Sequence, residues 1–404
     1  MLKSKLLKLM ATVLTVCLIA IPFGCTQQGA NGNEFFSSVI IAQANGDVTF
    51  TPTLNASPSE GVEIPLLSGD IYTVSKNYKL FITDGYNPNK EDIFAPTPLT
   101  ISWTSQQQPL YYTFEISTNG DMTDAKSYVT LDSNITLENL FMGYDYYYQI
   151  CAKFENKIIK SRIFNFSTEY LPRTVYIDDN VSNTRDWGGY YCEDEIHRVK
   201  QGIVYRGGQL ETISLEGKRR MIVSLGIKTD LDVRGDGSGS LNSPLGSSVN
   251  YIEATGPYYA IGEHGINFSL NLPDQHKETQ RIHKESLIKE IKTFVNPKNF
   301  PIYIHCSLGR DRTGTLCFLI NALLGVSEMD LYRDYELSMM SKKGKTDGQT
   351  AQSIVGGAFT TLYNFIKNYK NADSLSDGAR MYMIDLGITE EEIEAIKANM
   401  LEEI

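Results

Sequence analysis

Residues 305–314 read His305-Cys306-Ser307-Leu308-Gly309-Arg310-Asp311-Arg312-Thr313-Gly314. Just before them, Pro301 to His305 has the apolar pattern of a short buried strand. Just after, Thr313 to Leu324 is almost wholly apolar and reads as a helix stopped by Gly325. A cysteine and an arginine separated by five residues therefore sit in a loop that opens a helix. Such a loop can aim several backbone N–H groups at one anion, helped by the positive end of the helix dipole. Gly309 supplies backbone freedom. Arg312, on the first turn, can offer a planar fork to two phosphate oxygens. The same surroundings favour the thiolate of Cys306, the nucleophilic form, which could attack phosphorus without a metal. The bland alternative is a buried cysteine beside a structural arginine.

The segment resembles the His-Cys-x5-Arg-Thr/Ser signature of the cysteine-dependent protein tyrosine phosphatase superfamily. The resemblance implies that Cys306 is the nucleophile and Arg312 the clamp. It further implies that His305 orients the cysteine, that the Thr313 hydroxyl helps the thiolate leave, and that Ser307, Leu308, Gly309 and Arg310 form the substrate cradle. It extends outward. Asn183-Thr184-Arg185-Asp186-Trp187-Gly188-Gly189 and Val204-Tyr205-Arg206-Gly207-Gly208 are similar to the opening of the bacterial tyrosine and dual-specificity branch, some of whose members act on lipids. Trp187 stands where that branch usually has Leu, and Gly207 where it usually has Ser. Leu225 to Arg234, Asp334 to Ser338 and Leu386 to Thr389 also fit. Arg185, Asp186, Arg206 and Arg234 read as a salt-bridge network under the sheet rather than as direct catalysts.

Two carboxylates compete for the role of general acid. Asp274, in Leu272-Pro273-Asp274, lies 32 positions before Cys306, a setting similar to the mobile acid loop of dual-specificity phosphatases; its structural alternative is a helix N-cap. Asp311 lies within the loop itself and could instead hold Arg310. Asp274 is slightly preferred. Arg310 could reach a second phosphate on an inositol ring, or pair with a neighbouring acid.

From about 175 to 404, strand-like and helix-like segments alternate, which predicts an α/β domain with a mostly parallel sheet flanked by helices. Expected elements include a helix from Lys218 to Leu225, strands at Ile227–Val233 and Ile266–Leu272, a helix from Lys277 to Val295, and a last helix from Glu390 with Thr389 and Glu392 in capping-box relation. Residues 47–169 are β-like. Leu99 to Trp103 and Tyr112 to Ile116 alternate, with Asp145–Lys153 and Ser161–Ser167 as further strands and a turn at Asn119-Gly120. This part resembles a fibronectin type III or immunoglobulin-like sandwich, with Trp103 as its core tryptophan and Leu140–Tyr146 as its tyrosine corner. Pro172 marks the linker.

The chain opens with Lys3, Lys5 and Lys8, then an apolar stretch to Phe23, the pattern of an export signal over 1–24. Gly24-Cys25 resembles a lipoprotein processing site, which would lipidate Cys25 and anchor the chain to a membrane. Residues 25–46 read as a tether. Without 1–24 the chain holds 34 basic residues against 48 acidic, a formal charge of −14. Such a chain is a poor nucleic-acid binder. The six cysteines suggest no disulfide framework, and His197, His264, His276 and His283 look too scattered for a metal site. No cofactor is implied. The expected substrate is a phosphorylated protein or peptide, with phosphotyrosine foremost. The alternatives are an inositol phosphate or phosphoinositide, and a pseudophosphatase that captures phosphate without turnover. The partner of the sandwich is unknown.

Overall fold

The computed structural model describes residues 53–54, 61–76, 96–105, 107–235, 242–258, 260, 262–341 and 354–404. The expected signal, the tether and Cys25 lie outside them. The chain divides into two units: one comprises residues up to Leu66 and Pro98–Tyr170, the other Leu67–Thr97 and Leu171–Ile404.

The first unit holds two sheets. One joins β1 (Thr53–Leu54), β3 (Leu99–Ser102) and β6 (Asn134–Leu137). The other runs β2 (Glu63–Ile64), β9 (Phe164–Thr168), β7 (Asp145–Lys153), β4 (Tyr111–Ser117), β5 (Lys126–Thr130), with β8 (Ile158–Lys160) also on β7. Alternation along β4 and β7 puts Tyr112, Phe114, Tyr146, Tyr148 and Ile150 on the buried face. Trp103, just past β3, meets Tyr112 edge-on at 5.2 Å and stacks on Phe114 at 6.1 Å, so the two sheets share one aromatic core. The Tyr146 hydroxyl accepts from the amide of Phe141 at 2.7 Å.

The second unit is built on a mixed five-stranded sheet. Its order is β10 (Arg185–Asp186), β12 (Val204–Gly207), β15 (Ile302–His305), β13 (Thr229–Asp232), β14 (Asn250–Glu253), and only the β10–β12 pairing is antiparallel. β15 lies at its centre, so the strand that delivers Cys306 is paired on both edges. A short pair, β11 (His197–Val199) with β16 (Leu401–Glu403), lies apart from this sheet. Among the helices are α1 (Gly69–Lys76), α2 (Leu215–Arg219), α3 (Asp274–Lys292), α4 (Asp311–Leu323), α5 (Glu328–Leu337), α6 (Thr360–Lys367), α7 (Leu375–Leu386) and α8 (Glu390–Met400). Every residue of α4 from Thr313 to Leu323 is buried. Each large apolar side chain on it contributes roughly 1.5–3 kcal/mol by burial. That fixes the helix whose N-terminus faces the loop. Thr389 and Glu392 close the expected capping box on α8.

Three features differ from the sequence reading. Ile266–Leu272 forms turns rather than a strand, because the Asn267 side chain caps the amide of Ser269 and the Phe268 and Leu270 amides bond back to Ile266 and Asn267. The missed strand of this region is β14. Residues 67–76, read as part of the β module, belong to the second unit: Ile71 and Ser75, one turn apart, are buried with Leu67, and α1 packs on α5.

Candidate active site

The loop from Cys306 to Arg310 leaves the C-terminal end of β15 and enters α4. Three of its successive carbonyls are taken up by the rest of the domain. Ser307 O accepts from the Gln209 amide at 3.4 Å, Leu308 O from Asn183 Nδ2 at 2.9 Å, and Gly309 O from Arg206 Nη2 at 2.8 Å. In a trans peptide the N–H points opposite to the C=O. Carbonyls held on the outside therefore turn the amides of Leu308, Gly309 and Arg310 inward. The N-terminus of α4 has no side-chain cap, so its first-turn donors are not used by a cap. A ring of amides over a helix N-terminus is an anion cradle.

Gly309 is required by this shape. Its φ is +67°, and a Cβ there would run into the carbonyl of Gly207. Behind the loop, Asp334 of α5 holds Arg185 Nε at 2.8 Å through one oxygen and Arg206 Nη1 at 2.5 Å through the other, with the Tyr190 hydroxyl donating at 3.3 Å. Burial raises the carboxyl of Asp334, but the two guanidinium groups outweigh it and hold it below the usual carboxylate value. Arg173 pairs with Asp186 at 2.5 Å. Arg234 is shared between Asp232 and Glu211. The four charged residues read as a network thus form ion pairs in the structure, and Arg206 also carries the loop.

His305 is fully buried, with Nε2 in an ion-pair contact 3.0 Å from Asp230 Oδ1 and Nδ1 4.0 Å from Asp232. Burial opposes its charge, but the two carboxylates prevail and lift its pKa above the ordinary histidine value. Cys306 is 6% exposed, and among the described residues neither it nor the buried Cys151, Cys192 and Cys317 is in a disulfide. Burial pushes the thiols of Cys192 and Cys317 up to about 12, which leaves both inert at neutral pH. Thr313 is fully buried, and its hydroxyl has no hydrogen-bond partner among the described residues.

Arg312 donates from Nη1 to the carbonyl of Arg234 at 2.8 Å, and its guanidinium lies 4.2 Å over the ring of Tyr258. Ser307 is exposed, Leu308 half-buried and Gly309 buried. Arg310 is buried and grips Asp311 with two bonds, Nε to Oδ1 at 2.9 Å and Nη2 to Oδ2 at 3.0 Å; its fork is turned onto that carboxylate rather than outward to a second phosphate. The Tyr335 hydroxyl also reaches Asp311, at 3.4 Å. Asp274 is the first residue of the 19-residue helix α3, after Pro273 at the cap position. It makes no capping bond; its side chain is 94% exposed and paired with Lys277 at 2.6 Å.

The histidines are not all scattered. His264 and His276 both pair with Glu263, and the His264 ring lies 5.3 Å from that of His283. The available signal was the seven-residue spacing of His276 and His283, two turns on one face of α3. Among the described residues no cluster is arranged to hold a metal.

Residues 178–402 match the tyrosine phosphatase family over more than half of the chain, and the chain belongs to that family of cysteine-based phosphatases. Two curated relatives bear the name of tyrosine-protein phosphatases. One, from Cupriavidus necator, is 25% identical over 195 residues, covering 44% of this chain and 67% of that protein. The other, from Dictyostelium discoideum, is 34% identical over 61 residues, covering 15% of this chain and 37% of that one. Among solved structures, the core catalytic domain of a PP-IP phosphatase from S. cerevisiae, in complex with citrate, is 18% identical with a TM-score of 0.25, covering 43% of this chain and 92% of that one.

Proposed function

We propose that the second unit hydrolyses phosphate monoesters through a cysteinyl-phosphate intermediate, with phosphotyrosine-type substrates foremost. The observation that carries this reading is the set of outward-held carbonyls at Ser307, Leu308 and Gly309, which leaves a ring of amides above an uncapped helix terminus beside Cys306. In the first step the Cys306 thiolate attacks phosphorus and the ester oxygen leaves with a proton from a general acid. In the second, water gives a proton to the carboxylate left by the first step as it attacks phosphorus, the S–P bond breaks, and phosphate departs, leaving the thiolate. The amides and Arg312 balance charge on the equatorial oxygens. Thr313, whose buried hydroxyl has no partner among the described residues, can donate to the departing sulfur. Asp311 sits on the first turn beside Arg312, whereas Asp274 heads a long helix; this favours Asp311 as the acid, released from Arg310 when substrate binds. The Arg310–Asp311 pair argues against Arg310 as a receptor for a second phosphate.

The test is rapid-mixing kinetics with an aryl phosphate. A burst of one phenolate per protein, followed by slower turnover, is expected of the parent; Cys306→Ser should lose both and still bind inorganic phosphate. Steady turnover by Cys306→Ser would overturn the mechanism, and a panel of phosphopeptides and inositol phosphates would rank the substrates.

Two accompanying readings rest on other ground. The strands of the first unit, with Trp103 and the Tyr146–Phe141 bond, support a fibronectin III-like accessory module. Export and lipidation rest on residues 1–25 alone; fatty-acid labelling of the parent and its absence from Cys25→Ala would support them.

A further inference from the structure

Arg312 and Thr315 lie three residues apart, on one face of α4. Both are directed at the same residue. The Arg312 guanidinium lies 4.2 Å over the ring of Tyr258, and the Thr315 hydroxyl, itself buried, donates to the Tyr258 carbonyl at 2.5 Å. On its other side Tyr258 is tied by its amide to the carbonyl of His264 at 2.7 Å, and the His264 ring meets the tyrosine ring edge-on at 5.6 Å and 86°. The backbone of Tyr258 is thus gripped from two elements, its ring is backed by a third side chain, and its face is given to the arginine.

We propose that Tyr258 is a positioning residue that sets the plane of the Arg312 guanidinium before phosphate arrives; this rests on the reading of Arg312 as the phosphate clamp. An arginine fork recognises two oxygens only in one plane, and an unconstrained side chain must give up rotamer freedom to reach it. Stacking on a ring face fixes that plane and uses none of the five N–H donors, whereas an acidic partner would occupy the same edge that phosphate needs. The Nη1 bond to the Arg234 carbonyl fixes rotation about the remaining axis. Thr315 belongs to the same device, because it registers the tyrosine to the helix that carries the arginine.

The experiment measures inorganic phosphate binding by calorimetry, together with kcat and KM on p-nitrophenyl phosphate, for the full chain and for Tyr258→Leu, Tyr258→Phe, Thr315→Val, Arg312→Lys and the Tyr258→Leu/Arg312→Lys pair. Tyr258→Leu is expected to lose phosphate affinity and kcat/KM by about 3- to 30-fold, with Tyr258→Phe near the parent, Thr315→Val between them, and no further loss from Tyr258→Leu once Arg312 is lysine. Thr315→Val carries the test by itself should Tyr258→Leu not fold. Parent-like phosphate binding by Tyr258→Leu or Thr315→Val, a Phe variant as poor as the Leu variant, or additive losses in the pair would overturn the proposal while the parent's turnover kept the phosphatase reading intact. A parent that neither turns over the ester nor binds phosphate would overturn both.

Discussion

Arg206 Nη2 donates to the carbonyl oxygen of Gly309 at 2.8 Å, across 103 residues of sequence. The same guanidinium is held by Asp334, whose other oxygen holds Arg185. One buried carboxylate on α5 therefore steadies the loop at second hand.

Replacing that carboxylate tests the arrangement. Asp334→Asn leaves two buried arginines facing an amide, and loss of one partner of a buried ion pair costs about 3–5 kcal/mol. A large fall in thermal midpoint is expected. Arg206→Lys is milder: the lysine can meet Asp334 or Gly309 but not both with fork geometry, so kcat/KM should fall about 10- to 100-fold with a smaller loss of stability. Denaturant titration beside steady-state kinetics separates the two effects.

Gly309→Ala should abolish phosphate binding, because the new methyl would meet the Gly207 carbonyl at a φ of +67°. Calorimetry with inorganic phosphate reads this directly, and parent-like affinity would contradict the loop geometry.

The pair of candidate acids separates by substrate. Asp311→Asn is expected to cut kcat roughly 10²-fold on esters with poor leaving groups and much less on p-nitrophenyl phosphate, while Asp274→Asn stays close to the parent on both. A pH–rate profile in which Asp274→Asn, and not Asp311→Asn, loses its basic limb would reverse the assignment.

Two buried groups give pH signatures of the same sign, starting from different pH values. His305 titrates above its unfolded value near 6.5 because Asp230 and Asp232 face it; the stability it contributes is full below that value and is lost as pH rises through the raised one. Asp230→Asn should flatten this alkaline decline. Glu290 is fully buried, neither carboxyl oxygen has a hydrogen-bond partner among the described residues, and burial raises it well above 4.5. The folded state then keeps a proton that the unfolded chain releases, so stability falls as pH rises above 4.5, by on the order of 1 kcal/mol per pH unit until the raised value is reached. Glu290→Gln should stabilise the protein at pH 8 and change little near pH 4. Melting curves across that range check both.

What the sequence disclosed was what is contiguous in it. Cys306 and Gly309 lie in one loop after an apolar strand and Arg312 on the first turn of the apolar helix it opens, so composition and spacing sufficed to single them out as candidates. The loop's supports are not contiguous: Asn183 reaches Leu308 from 125 residues away and Asp334 reaches Arg206 from 128. Family resemblance could mark those residues, but the fold brings them to the loop, Arg206 through the parallel pairing of β12 with β15 and Asp334 from α5. The false strand at Ile266–Leu272 has the alternation of a true one; Asn267 diverts it through a bond to Ser269 that periodicity does not register. Arg310 was ambiguous for a related reason, since a basic residue next to an acidic one can turn toward it or away, and here it turns toward Asp311.

The placement of α1 bears on how this protein can be divided. The helix at Gly69–Lys76 precedes most of the β-strands in the chain yet rests on α5, the element that bears Asp334. The polypeptide thus starts the catalytic body, departs to build the sheets, and returns to finish it. A fragment trimmed at the linker near Pro172 would keep every residue from Cys306 to Arg312 but expose the flank of α5 to water, so excising the domain by its motif boundaries alone would loosen the girder behind that loop.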